Sequence, residues 1–318
     1  MGTLIRVTEN SMATRTVDNL QLAMQKLQDI QDKQSSGKRI RKPSDDPTGA
    51  VQAMQYRADQ KRHDQYIRNA DDAMGWLGTA DTALTQSLRD IQRVRDLLLQ
   101  GANGTSDPAS RSALAQEINT TKDNLVGLAN ATYNNRPIFA GTADPAGQSP
   151  AVDTYTTTGT FNGNTSPVWR TIGPNASIVV SLDGPSVFGT PGSSDLWTVL
   201  DEIQAHMNSS DQVEQNKLAA SWVNGGGTTV KSDLDRLDDL RLNIQNRLSE
   251  IGARYHRVET MQTRAKDTNV TLQTNQSLVE NIDLAKTIMD MQLQTVAYQA
   301  ALGATARVIP PSLADFLK

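Results

Sequence analysis

The placement of the prolines constrains this chain more than any other feature of its sequence. Six of the twelve prolines fall between residues 145 and 191, whereas residues 1–42, 48–107 and 192–309 contain none. Proline inside a helix removes a hydrogen bond and costs about 3 kcal/mol, so the proline-free stretches are the ones that permit long helices. Residues 142–195 also carry only five charged side chains. We therefore expect two charge-rich helical arms separated by a charge-poor β segment.

The composition excludes several classes of protein. Without cysteine, the 318 residues form no disulfide, thiolate zinc site or iron–sulfur cluster. With a net charge of −4, the chain lacks the excess of basic residues that is typical of nucleic-acid-binding proteins. No apolar run approaches the roughly 18 residues of a membrane span, and residues 1–10 lack the apolar segment of a cleaved signal peptide. We expect no cofactor, no nucleic-acid partner and no membrane partner.

Apolar residues recur at helical spacing near both ends of the chain. Residues 17, 20, 24 and 27 are spaced 3, 4 and 3 apart, and a row from 284 to 309 alternates 4 and 3. This spacing is typical of coiled-coil helices. We expect an assembly interface formed by Val7, Val17, Leu20, Met24, Leu27, Leu284, Ile288, Met291, Tyr298, Leu302 and Ile309.

A second apolar row on the last helix runs from Leu278 through Met289 and Val296 to Ala300. Two rows form a band too wide for one partner helix, which favours burial against neighbouring copies. The simpler alternative is an amphipathic helix that docks on a globular core.

Local signals place the other elements. The sequence predicts a helix N-cap at Asp46 and at Asp107, each followed by a proline as the first helical residue. It predicts a further N-cap at Asp195. Residues 230–258 predict a long helix. Residues 177–182 predict the strongest strand, and residues 168–172 and 154–157 predict weaker ones.

The predicted fold is mainly α with an inserted β domain. We expect an elongated antiparallel helical coiled-coil rod built from both chain ends, with the β segment at its distal tip. The predicted domains are a terminal coiled coil (1–42 and 275–318), a helical rod (43–141 and 196–274) and a variable outer β domain (142–195).

Candidate catalytic groups are few. The basic residues of the segment 38–42 are accompanied by Asp45 and Asp46 and by no aromatic side chain, which favours a solvated or inter-subunit loop over nucleic-acid binding. The three histidines lie on separate predicted helices without a metal-ligand spacing. We expect no catalytic residue and no metal site.

The segment 37–47, Gly-Lys-Arg-Ile-Arg-Lys-Pro-Ser-Asp-Asp-Pro, closely resembles the N-terminal motif of the flagellin-like axial proteins of the bacterial flagellum. Its Pro-Ser-Asp-Asp-Pro form is similar to that of the hook–filament junction family (the third hook-associated proteins). Residues 5–12, 133–142, 184–189 and 284–317 resemble the same family, although Pro137 stands where an aromatic or aliphatic residue is more common. The resemblance covers roughly residues 1–142 and 184–318.

This resemblance implies a structural, non-enzymatic subunit in a layer between hook and filament. It implies secretion through the flagellar type III apparatus without a cleaved signal peptide. The implied partners are further copies of the chain, the preceding hook-associated junction protein, flagellin, and an export chaperone on the C-terminal helices. The resemblance also implies a turn that contacts neighbouring subunits, formed by Arg39, Pro43, Ser44, Asp45, Asp46 and Pro47.

Two alternatives stay open. The chain could be flagellin, the filament subunit itself, or, more distantly, a soluble coiled-coil adaptor. A helical enzyme would require convergent polar groups in a pocket, and the sequence offers no such set.

Overall fold

The computed structural model describes residues 9–103, 107–147, 152–190, 195–223 and 229–308. The chain divides into two compact units. Unit 1 comprises Met1–Arg62 and Thr268–Lys318, and unit 2 comprises His63–Asp267. The described residues are mostly helical and contain small antiparallel hairpins, so the predicted mainly α class with a small β region is confirmed. The domain boundaries expected at residues 42 and 275 stay predictions.

The elements follow in chain order. The helices are α1 (Glu9–Ser36), α2 (Pro47–Ala102), α3 (Pro108–Ala129), α4 (Gly184–Phe188), α5 (Leu196–Asn208), α6 (Gln212–Asn216), α7 (Asp233–Glu280) and α8 (Leu284–Val308). The strands are β1 (Thr132–Tyr133), β2 (Arg136–Pro137), β3 (Trp169–Gly173), β4 (Ala176–Val179), β5 (Trp222–Val223) and β6 (Thr229–Val230).

The helix caps lie where the sequence predicts them. Asp46 accepts a hydrogen bond from the Gly49 amide at 2.9 Å, and Pro47 is the first residue of α2. Asp107 caps α3 and Asp195 caps α5 in the same way. Each side chain satisfies an amide that has no partner within its helix. Gly37 ends α1 with a φ of +68°, a left-handed conformation that glycine adopts at little cost.

The core of unit 2 is a set of helical stripes. On α7, Leu237, Ile244, Ile251 and Val258 recur every seven residues and are almost fully buried. The predicted α2 stripe is buried at Leu77, Leu84, Ile91 and Leu98, and Leu88 is partly buried against the same core. Burial of each such side chain contributes about 1.5–3 kcal/mol. The α5 stripe of Leu196, Leu200, Ile203 and Met207 is also buried.

Each sheet in the described residues is a two-stranded antiparallel hairpin. β3 and β4 lie in the stretches 168–172 and 177–182 where strands were expected, although β4 ends at Val179, and the two strands pair with each other. The weaker strand expected at 154–157 is reduced to one bridge between Tyr155 and Phe161. The β1–β2 hairpin was not expected; its turn residues Asn134 and Asn135 have φ values of 48° and 62°.

Two helix boundaries differ from expectation. The long helix expected from residue 230 begins three residues later, because Val230 lies in β6. The first residue of α7 is Asp233, which follows Ser232 in the sequence. The Ser232 hydroxyl accepts the Asp235 amide at 3.1 Å, which makes it the cap of α7. The last helix is also interrupted, because α7 ends at Glu280 and α8 starts at Leu284. Asp283 caps α8 by accepting the Lys286 amide at 3.1 Å.

Candidate assembly site

The two terminal helices of unit 1 pack against each other. On α1 the partly buried positions Thr16, Leu20, Ala23, Leu27, Ile30 and Gln34 follow a spacing of 4 and 3. On α8 the matching positions are Thr287, Met291, Gln294, Tyr298, Ala301 and Thr305. The pairing is antiparallel, because Gly37 after α1 binds Ile282 before α8, and Gln294 further along α8 donates to the earlier Ala23 carbonyl at 3.1 Å. We call this heptad contact the seam.

The expected interface residues fall into three groups. Leu20, Leu27, Met291 and Tyr298 lie in the seam. Val17, Met24, Leu284, Ile288 and Leu302 are exposed on the same two helices, with exposed fractions of 36–56%. Val7 and Ile309 lie outside the described residues. The seam includes small and polar residues such as Ala23 and Gln294, so hydrophobicity alone does not identify its register.

Much of the apolar surface of α8 faces away from the seam. The side chains of Met289, Leu293 and Val296 are exposed by 62%, 72% and 64%. Leu22 on α1 is exposed by 52%. Residues 291–306 contain no charged side chain on any face of the helix. An exposed apolar surface without charges is typical of a surface that a partner covers.

The segment that follows α1 and the segment that precedes α8 lie side by side at one corner of unit 1. The Arg39 amide donates to the Glu280 carbonyl at 2.7 Å, and the Ile282 amide donates to the Gly37 carbonyl at 3.1 Å. Lys38 and Asn281 form an antiparallel bridge between the two segments. These backbone contacts fix where the α1–α8 pair begins. We call this group of contacts the corner.

A buried carboxylate lies at the centre of the corner. The Glu280 side chain is 4% exposed and binds the Lys38 ammonium at 2.7 Å and the Arg57 guanidinium at 2.5 Å. The Gln276 amide donates to its other oxygen at 2.8 Å. Burial alone would raise the pKa of Glu280, but the hydrogen bonds from Lys38, Gln276 and Arg57 outweigh burial and lower the pKa to about 2. The carboxylate is therefore ionised at neutral pH.

The predicted turn residues lie beside this corner. The Asp45 carboxylate accepts the amides of Arg41 and Lys42, both at 2.9 Å, and these bonds lower its pKa. The bond from Gly49 lowers the pKa of Asp46. Arg39 lies 3.3 Å from Asp46. Pro43, Ser44 and Pro47 are exposed. The structure thus gives both carboxylates a role inside the turn.

Internal partners account for most of the basic cluster. Lys38 pairs with Glu280, Arg39 with Asp46, and Arg41 with Asp29 and Asp32. Sequence reasoning missed the role of Glu280 and Arg57, because their contact joins residues 223 positions apart. The one local signal for this corner was Asp283. Because Asp283 caps the start of α8, the preceding helix must end before it.

Among the described residues, no group of three or more histidine, aspartate or glutamate side chains is arranged to hold a metal ion. None of the helices, over the residues described, is long and apolar enough to cross a membrane.

Comparison with known proteins adds independent evidence. Residues 7–144 match the model for the bacterial flagellin N-terminal helical region. Flagellar hook-associated protein 3 of Salmonella typhimurium is 24% identical over 316 residues, covering 93% of this chain and 95% of that protein. Flagellin of Bacillus subtilis is 24% identical over 323 residues, covering 99% of this chain and all of that protein.

A solved structure shares the fold. The flagellar junction protein FlgL from Legionella pneumophila superposes with a TM-score of 0.53 at 14% identity, covering 74% of this chain and 100% of that chain.

The helical fold and these matches make the chain similar to the flagellin-like axial proteins, which are structural components of the bacterial flagellum. The matches to flagellar hook-associated protein 3 support a subunit of the junction between hook and filament, and the matches to flagellin support the filament subunit less strongly.

Proposed function

We propose that this junction subunit assembles through the uncovered apolar surface of its α1–α8 pair. The observation that carries the proposal is the exposure of Met289, Leu293 and Val296 on a helix without charges from 291 to 306. Covering three such side chains would contribute several kcal/mol at about 25 cal/mol per Å² of apolar area, before the entropic cost of association.

The proposed partners are further copies of the chain in one layer, the preceding hook-associated junction protein on one side and flagellin on the other. The names of relatives support a place among these proteins, since they describe a hook-associated protein and a junction protein. We also propose that the chain is non-enzymatic, passes through the flagellar type III apparatus without signal-peptide cleavage, and meets an export chaperone at its C-terminal helices. The turn at Arg39, Pro43, Ser44, Asp45, Asp46 and Pro47 would contribute inter-subunit contacts beside the terminal pair.

Fluorescent labelling separates the junction proposal from the flagellin alternative. The chain has no cysteine, so Val213→Cys, at a position 64% exposed on α6, gives a single labelling site. We expect one fluorescent spot at the base of each filament. Label along the whole filament would favour flagellin, and label in the cytoplasm alone would contradict both.

Substitution of the exposed apolar face tests the mechanism. Met289→Gln, Leu293→Gln and Val296→Gln together should leave the monomer folded, because these side chains have few contacts to lose. Cells with this variant should secrete the protein and lose attached filaments. The matched control is Val213→Gln, an equally exposed apolar residue outside the pair. Normal filament attachment by the triple variant would disprove the assembly role of this face.

A further inference from the structure

Unit 1 carries an exposed apolar face outside the α1–α8 pair. On α2, Val51 and Met54 are exposed by 57% and 56%. Met54 borders a groove whose floor is formed by Ile40, Ala50 and Ala53. The next exposed side chains along the same face of α2 are Arg57 and Lys61, at spacings of 3 and 4. The face therefore presents an apolar end followed by two cations.

Unit 2 carries a face of the opposite character on α7. Leu242 is exposed by 50%, and Asp239 and Asp235 precede it on the same exposed face. Asp239 lies 3 residues before Leu242, and Asp235 lies 4 residues before Asp239. The face therefore presents an apolar end followed by two carboxylates. Residues at these spacings lie on one side of a helix, about one turn apart.

The two faces match in register when their helices run in opposite directions. Met54 then lies opposite Leu242, Arg57 opposite Asp239 and Lys61 opposite Asp235. The two apolar residues meet, and each cation faces a carboxylate. We propose that α2 of one copy packs antiparallel against α7 of a second copy through these six residues. This inference rests on the proposed assembly of further copies into one layer.

The existing partners of these residues allow the contact. Lys231 binds Asp239 at 2.6 Å, but both side chains are more than half exposed, and such pairs contribute little to stability. Arg57 can keep its bond to the buried Glu280 while its exposed part faces Asp239. Lys61 forms no ion pair with any residue that the structure describes, so it supplies an uncommitted cation. Leu242 would cover the groove floor beside Met54.

The contact joins two different faces of the chain. Such a heterologous contact repeats from copy to copy and generates either a closed ring or a helical layer. A junction between hook and filament requires a layer of this kind. The face on α2 also lies outside the α1–α8 surface, so the two contacts can be tested separately.

Disulfide trapping between two single-cysteine variants tests this inference. Cells would produce Met54→Cys and Leu242→Cys chains together, and isolated flagella would be oxidised and run on a non-reducing gel. Because the native chain has no cysteine, any covalent dimer must join the two variants or two copies of one. We expect a dimer when both variants are present and at least tenfold less when either is present alone. The matched control pair is Met54→Cys with Val213→Cys, which should give no dimer above background.

A charge exchange gives a second readout. Lys61→Glu should reduce the yield of the Met54–Leu242 dimer about threefold or more, and Asp235→Lys in the other chain should restore it. Incorporation of both variants into flagella without a dimer would overturn this contact while leaving the proposed function intact. A covalent product of another mass would show that a different protein occupies the α2 face. Absence of both variants from flagella, with the native chain absent too, would instead contradict the proposed function.

Discussion

The Glu280 carboxylate forms an ion pair with the Lys38 ammonium at 2.7 Å, although the two residues are 242 positions apart in sequence. Arg57 and Gln276 bind the same buried carboxylate, so one side chain joins the end of α7, the start of α2 and the turn after α1. All of these residues belong to unit 1, so the carboxylate links three segments of that unit at the point where the terminal pair starts.

Removal of this carboxylate should loosen the corner. We expect Glu280→Ala to lower the free energy of unfolding of unit 1 by about 1–3 kcal/mol, since Lys38 and Arg57 lose a buried partner but can turn to water. Hydrogen exchange should accelerate at the amides of residues 39, 40 and 282. Glu259→Ala, on an exposed part of α7, is the matched control. Unchanged exchange at the corner in Glu280→Ala would show that the backbone contacts suffice.

Acid should weaken the corner in a defined window. The pKa of Glu280 is lowered from 4.5 to about 2, so its stabilising contribution is complete above pH 4.5 and is lost as the pH falls towards 2. The difference in unfolding free energy between the native chain and Glu280→Gln should therefore be constant from pH 7 to 5 and shrink below 4.5. Denaturant titrations monitored by circular dichroism at each pH measure this difference. A difference that persists unchanged at pH 2 would contradict the assignment.

Two glycines on α2 should respond oppositely to alanine. A Cβ at Gly75 would lie 2.3 Å from the Tyr133 hydroxyl, whereas a Cβ at Gly78 meets no atom within 4 Å. Gly75→Ala should destabilise unit 2 by about 1–3 kcal/mol because the Tyr133 ring must move. Gly78→Ala should stabilise it by about 0.5–1 kcal/mol because alanine favours the helix. Thermal unfolding of both variants measures the contrast, and equal melting temperatures would refute it.

The seam and the exposed face make different contributions to the monomer. Leu27 is partly buried in the seam, whereas Met24 is exposed by 48%. We expect Leu27→Ala to destabilise the α1–α8 pair by about 1–2 kcal/mol and Met24→Ala to change it by less than about 0.5 kcal/mol. Hydrogen exchange of α1 and α8 amides in the purified monomer distinguishes them. A larger effect of Met24→Ala would show that Met24, and not Leu27, lies in the seam.

The helices of this chain are largely predictable from its sequence. The long helices α2 and α7 repeat their buried apolar residues at a regular spacing, and Asp46 and Asp107 mark the starts of α2 and α3 with a following proline. These signals are local, so they do not depend on the rest of the fold. The β1–β2 hairpin also had a local signal, because Asn134 and Asn135 belong to a residue type that tolerates positive φ.

The register of the seam could not be predicted in the same way. Both rows of α8 are apolar, and the row in the seam contains Gln294 and Ala301, while Leu293 and Val296 are exposed. Small residues allow the helices to approach closely, and that preference carries no hydrophobic signature. The Glu280 contacts were equally out of reach, since they depend on residues that only folding brings together.

The pairing of α1 with α8 has a consequence for the order of events in the life of the chain. The ribosome makes α1 well before α8, because α1 ends at Ser36 and its partner begins only at Leu284. The corner cannot form before residues 280–282 have been synthesised, and the seam cannot form before α8 has been synthesised. The fold thereby delays the maturation of unit 1, and a nascent or truncated molecule lacks the finished helical pair that a growing structure would have to recognise.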